Sequence, residues 1–234
     1  MWSETLLPDS HEYTRLNPRE GDLEEAVEAF GHGTPVLVHD DDERENEVDL
    51  VVPAYAVTPA VVAQLRNDAG GLVCVALADE VAAAFDLPFM HDAVDHPAGQ
   101  STDIAYDERS SFSLTVNHRE TFTGITDNDR ARTIVELSEA AAAPVETDFA
   151  GEFDTPGHVH LLRAAPNLLD DRQGHTELGI ALAELADVPP AVVVCEMLDD
   201  RTGGAMSRSN ALTYARANDS VFLTGSTVID EMRA

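Results

Sequence analysis

Thr176-Glu177-Leu178-Gly179-Ile180-Ala181-Leu182-Ala183-Glu184-Leu185-Ala186, followed by Ala191-Val192-Val193-Val194-Cys195-Glu196-Met197, is the stretch whose reading decides the fold. In the first part Leu178, Ala181, Leu182 and Leu185 recur at helical spacing, which predicts an amphipathic helix over 176–186. The second part is a short, unbroken, β-branched apolar run, as expected of a strand covered on both faces. Helix followed by buried strand means helices packed on a sheet.

The same alternation extends in both directions. Leu23, Ala26, Val27 and Phe30 predict a helix over 22–30 that Gly31 ends, and 34–39 and 49–52 read as strands joined by the acidic loop 40–47. Thr58 caps a helix that Pro59 opens and that runs to about Asn67; Gly70-Gly71 then releases a strand over 72–77. Residues 88–110, with His91, His96, Pro97 and Gly99, read as an irregular connection of the kind that serves as a lid. After it come a strand over 112–116, a helix capped by Thr126 or Asp127, a strand over 158–162, and, beyond 197, a helix over 210–217, a strand over 221–223 and a helix from Ser226. Strands and helices interleave without one-to-one alternation. The expected architecture is an α/β fold of the α+β type, a three-layer α-β-α sandwich around a mixed twisted sheet, in one domain spanning 1–234. There is no G-x-G-x-x-G to support a dinucleotide fold.

Composition narrows the chemistry. The formal charge is 14 minus 44, or -30, and all 14 basic residues are arginine. Without lysine there is no Schiff-base aldolase, no pyridoxal-phosphate lysine and no phosphate-loop lysine. The acidic balance opposes nucleic acid as a partner, because that binding rests on cations that neutralise phosphates. With 44% of residues apolar, a folded core lies under the acidic coat, and such a coat points to a salt-rich cytoplasm, as in a halophilic archaeon. Cys74 and Cys195 sit in apolar runs and read as reduced, packed thiols. No run of about 18 apolar residues occurs and residues 1–16 carry no hydrophobic segment, so neither membrane spanning nor secretion is expected.

Four short stretches carry candidate chemistry: Arg44-Glu45-Asn46-Glu47-Val48-Asp49, Thr155-Pro156-Gly157-His158, Arg172-Gln173-Gly174-His175-Thr176-Glu177 and Cys195-Glu196. The ordinary reading of the first is a solvated acidic loop, but an extended segment would set Glu45, Glu47 and Asp49 on one side, one to bind a metal and a neighbour to move a proton. An EF-hand fails, since the sixth and twelfth positions counted from Asp40 are Glu45 and Val51. The third stretch precedes a helix, so its N–H groups form either an anion-receiving end with Arg172 alongside or a simple cap by Thr176. His158, taken alone, could be a satisfied core histidine. Glu196 is either at a strand end facing a site or buried at a cost of several kcal/mol, which would raise its pKa and suit it to acid-base work.

Taken together, these residues make the chain resemble the 3,4-dihydroxy-2-butanone 4-phosphate synthases of riboflavin biosynthesis, from about residue 22 to 223. Five ordered motifs carry the likeness: aspartates then R-E-x-E-x-D at 40–49, T-G-[IV]-[ST]-x-x-D-R at 123–130, P-G-H-V at 156–159, R-x-G-H-T-E at 172–177, and C-E at 195–196. Val48 stands where glycine is usual, and Thr155 where arginine often precedes Pro-Gly-His. The resemblance implies Glu45 and His175 as ligands of a divalent cation, Mg2+ or Mn2+, with Arg172, Gly174 and Thr176 receiving the substrate phosphate and Gln173 also among the substrate-binding residues. It implies Arg44, Asp40, Asp49 and Thr123 as groups that position the sugar, and His158, Glu196 and Glu47 as catalytic residues. It further implies conversion of ribulose 5-phosphate to the four-carbon ketone phosphate plus formate, in a homodimer with sites at the subunit boundary. A noncatalytic metal or phosphosugar binder would keep Glu45, His175 and Arg172 but lack the acid-base set, and that set is present. A fused cyclohydrolase, which needs a cysteine-rich zinc site, is not expected from two isolated cysteines and this chain length.

Overall fold

A computed structural model describes residues 22–41, 44–97 and 109–234. Along the chain run α1 (Leu23–Gly31), β1 (Val36–His39), β2 (Val48–Pro53), α2 (Pro59–Asp68), β3 (Cys74–Leu77), α3 (Asp79–Ala84), α4 (Met90–Ala93), β4 (Phe112–His118), α5 (Asp127–Ala142), α6 (Phe149–Glu152), β5 (Phe153–Arg163), α7 (His175–Leu185), β6 (Ala191–Glu196), β7 (Leu198–Asp199), β8 (Gly204–Ala205), α8 (Arg208–Ala217), β9 (Val221–Thr224) and α9 (Gly225–Met232). Local chemistry sets many of these boundaries. Asp22, Thr58, Thr126 and Ser207 each accept a first-turn N–H of α1, α2, α5 and α8. Thr126, not Asp127, is therefore the cap of α5.

The large sheet has the order β4-β5-β3-β6-β2-β1-β9. Pairs β1/β9 and β3/β5 are parallel and the remaining neighbours antiparallel, giving the expected mixed sheet. Its central strands are apolar on both faces, with Val51, Val52, Val75, Val192 and Val193 all fully buried. On one face α7 packs over β6, β3 and β2 and is covered in turn by α1 and α9; on the other, α5 lies against β4, β5 and β6 beside α2. The three layers follow.

One expectation is corrected. Every residue of α7 from His175 to Ala183 is buried, so it is a core helix and not an amphipathic one, because α1 and α9 shield the side turned away from the sheet. Gly179 lets it sit so close: a Cβ there would lie 2.8 Å from Val192 Cγ2. Short α3 and α6 carry too few residues to show a helical period in sequence. Within 88–110 the chain forms α4 over Met90–Ala93, so that part is not irregular, while 98–108, and with them the lid reading, lie outside the described residues.

Register decides what meets at the sheet's centre. Asp49 of β2 stands directly opposite Glu196 of β6, and directly opposed residues share a face. Val192 and Val194 contact Gly179 of α7, and Glu196 has their parity, so both carboxylates project to the α7 side. Cys195, between them, turns the other way and its thiol donates to Leu65 O at 3.7 Å. Burial pushes both cysteine thiols up to about 12, so they are inert packing groups.

Candidate active site

The acidic loop between β1 and β2 is organised by the buried carboxylate of Asp40. It accepts the backbone N–H of Glu45 at 3.2 Å and of Glu47 at 3.0 Å, and Arg44 Nη1 donates to it at 3.2 Å. Asn46 lies in the left-handed region at φ 56, with Oδ1 3.0 Å from His39 Nε2. A left-handed residue between two glutamates bends the loop locally, and asparagine tolerates that conformation better than a branched side chain does. Glu45 and Glu47 both line one cavity of about 240 Å³, together with Asp49 and Glu196 from the sheet and with Arg172, His175 and Thr176 from the start of α7.

His175 is oriented by the main chain. Its Nε2 lies 3.2 Å from Val38 O, an atom that can only accept, so Nε2 donates there and Nδ1 is the ring nitrogen left to face the carboxylates. Nδ1 faces Asp49 Oδ1 at 3.6 Å and Glu45 Oε2 at 3.9 Å. Ligand atoms of Asp40, Glu45 and His175 all lie within 4.8 Å of one another. This donor set fits a divalent cation: carboxylate oxygens suit Mg2+ or Mn2+, and an imidazole held by a carbonyl partner is the usual oriented nitrogen ligand.

The electrostatics agree. Burial first, then Glu196 and Glu45, pushes Glu47 up to about 7. Asp49 is pushed up to about 6 by burial, with His175 pulling the other way. Glu196 is raised by burial and by Asp49, while a hydrogen bond with Glu47 counteracts this. Carboxylates crowded into one pocket resist ionising together and are relieved either by a cation or by shared protons.

Beside them α7 begins at Gly174, which has no side chain to cap the helix. Thr176 sits one residue inside the helix, so the simple-cap reading of Thr176 is corrected, and the N-cap residue, Gly174, brings no side-chain oxygen to the first turn. A Cβ at Gly174 would run into the guanidiniums of both Arg172 and Arg44, so glycine is what admits two cations to the helix tip. Such a tip is suited to an anion.

The predicted residues do not all converge. Gln173 is exposed and its amide donates to Leu169 O at 3.3 Å, away from the cavity lining. Thr123 and His158 are outside that lining as well. Both are exposed on neighbouring segments: Thr123 is held by Asp129, and His158 by Asn117 Oδ1, 2.8 Å from its N–H and 3.2 Å from Nδ1, while Gly124 packs on the same Asn117 side chain. Asp129 also accepts from the N–H groups of Phe122 and Gly124, which explains the aspartate of the T-G-[IV]-[ST]-x-x-D-R motif. Sequence reasoning passed over Asp129, Asn117 and Glu177; their presence inside or between the motifs was the available signal.

Fold and site together define a class: a mixed-sheet α/β protein with a carboxylate and imidazole pocket beside an uncapped helix tip. The profile of the family described as 3,4-dihydroxy-2-butanone 4-phosphate synthase matches residues 24–231. The enzyme of that description from Archaeoglobus fulgidus is 46% identical, over 91% of this chain and 94% of the relative, and that from Methanothermobacter thermautotrophicus is 45% identical, over 89% and 94%. A solved structure described as 3,4-dihydroxy-2-butanone 4-phosphate synthase in complex with two magnesium ions superposes with a TM-score of 0.78 at 30% identity, covering 91% of this chain and 96% of that one. The chain belongs to the 3,4-dihydroxy-2-butanone 4-phosphate synthase family.

Proposed function

We propose that this protein converts D-ribulose 5-phosphate to 3,4-dihydroxy-2-butanone 4-phosphate and formate in riboflavin biosynthesis, as a metal-dependent carbon-carbon lyase using Mg2+ or Mn2+. The observation that carries the reading is the grouping of Asp40, Glu45 and His175 within 4.8 Å, with Glu45 and His175 lining the cavity that Arg172 and Thr176 at the start of α7 also line. Glu45 and His175 would hold the cation, which when bound polarises a carbonyl and its neighbouring hydroxyl. A relative solved with magnesium supports the choice of ion, and the imidazole ligand makes Mn2+ an equal candidate.

The chain's own groups account for the rest. Arg172, Gly174 and Thr176 take the phosphate at the helix tip; Arg44, Asp40 and Asp49 orient the hydroxyls beside it. Glu47, held at about 7, exchanges a proton near neutral pH, and Glu196, hydrogen-bonded to it, is the second carrier. Two carriers side by side, both raised by burial, suit a reaction in which protons leave one carbon and return to another.

Thr123 and His158 stand together away from this cavity, which supports a homodimer in which each copy supplies them to its neighbour's site at the subunit boundary. The -30 charge supports function in a salt-rich cytoplasm. Formate released from ribulose 5-phosphate with Mg2+ or Mn2+ in molar KCl is the test. No formate from folded protein would reject the enzyme in favour of a noncatalytic metal or phosphosugar binder.

A further inference from the structure

Glu177 is fully buried, with no exposed surface, at the third position of α7. A carboxylate so placed is strongly unfavourable unless it is paired and hydrogen-bonded, and the surroundings of this one are specific. Oε2 receives Arg172 Nη1 at 2.7 Å, and Oε1 receives the backbone N–H of Ala165 at 3.0 Å. Ala165 lies just past the end of β5, so Glu177 ties the Arg172 head to the backbone that leaves the sheet and not to another surface side chain.

Arg172 needs such an anchor. Its guanidinium meets that of Arg44 at Gly174, and two like charges at one helix tip repel. Arg44 is balanced by Asp40 and Glu45 at 3.2 and 3.0 Å, and Arg172 is paired with the fully buried Glu177 at 2.7 Å. Arg172 is also the wall between two spaces: it lines the cavity holding Glu45 and Glu196, and a second cavity of about 670 Å³ on its other side, into which an unanchored guanidinium could swing.

We propose that Glu177 is a positioning residue, resting on the reading above, that fixes Arg172 toward the phosphate at the helix tip. It touches no reacting atom; it acts through Arg172. Replacing the carboxylate should weaken the hold on the phosphate handle alone, since that contact is made equally in ground and transition states.

The test is Glu177→Gln in the full-length protein with its metal. The expected result is a rise of about tenfold both in KM for ribulose 5-phosphate and in the inhibition constant of inorganic phosphate, with kcat changed by less than about threefold and metal affinity unchanged. In an Arg172→Gln background the same change should add nothing, because both act through one contact. Unchanged KM and phosphate inhibition in Glu177→Gln, or an equal loss in both backgrounds, would overturn the proposal. Should Glu177→Gln not fold, Glu177→Asp, which keeps the charge but is one methylene short of spanning both partners, is read in the same two backgrounds against the same outcomes. Failure of the enzymatic reading is distinct: the unsubstituted protein would then release no formate, while phosphate binding by titration calorimetry would still report on Glu177.

Discussion

Glu196 and His175 divide the labour of the cavity, and their substitutions should separate. Glu196→Gln removes a proton carrier without removing volume, so turnover should fall by about 10²–10⁴ while ribulose 5-phosphate still binds; normal turnover in this variant would refute the proton-transfer role. His175→Ala should instead weaken the cation, read as loss of the rise in thermal midpoint that Mn2+ gives the unsubstituted protein. A pH signature follows from Glu47 and Asp49, whose folded values of about 7 and about 6 lie above their ordinary 4.5 and 3.8. Because the folded state holds these protons more tightly, their contribution is fully present below the unfolded values and is lost as pH rises through the folded ones. The thermal midpoint of metal-free protein should therefore fall between about pH 5 and about pH 7.5 in constant salt, with a shallower slope in Glu47→Gln. A slope unaltered by that substitution would contradict the assignment. Individually these residues were visible in the sequence, because a glutamate inside a β-branched run and a histidine at a helix start are each out of place. Their pairing was not, since the Asp49 and Glu196 contact depends on a register that no local pattern encodes.

Among the elements, α7 carries most of the design: it fills the middle of its layer and starts at the tip proposed to receive the anion. Gly179→Val should force it off the sheet, since even a Cβ would sit 2.8 Å from Val192 Cγ2, and overpacking of this sort costs about 1–3 kcal/mol, to be read from a denaturation midpoint. If Gly179→Val leaves the midpoint unmoved, the close helix-sheet approach is not a source of stability. Caps made the ends of α2 and α5 legible from Thr58 and Thr126, because the interaction spans three residues. The burial of α7 was not legible in this way. It results from α1 and α9, distant in sequence, closing over a face that the residue pattern alone assigned to solvent.

For the molecule as a whole, charge is the governing term. With 44 acidic against 14 basic residues, self-repulsion should make the fold depend on salt, the midpoint rising steeply from dilute buffer to molar KCl, where the Debye length is about 3 Å. A midpoint flat across that range would remove the salt-rich setting from the account. On the proposed reading, the same surplus gives the two guanidiniums at Gly174 their importance, as local cationic groups for a phosphate in an otherwise anionic protein. Composition made the salt dependence and the absence of lysine chemistry legible at once, whereas the separation of Thr123 and His158 from the cavity emerges only from the fold. The most direct measurement is a crystal grown with Mn2+ and phosphate and read by anomalous scattering. The account predicts a manganese peak bonded to the Glu45 carboxylate and to His175 Nδ1, with phosphate against Arg172 and the first N–H groups of α7; a manganese ion elsewhere, with Glu45 and His175 sharing none, would contradict it.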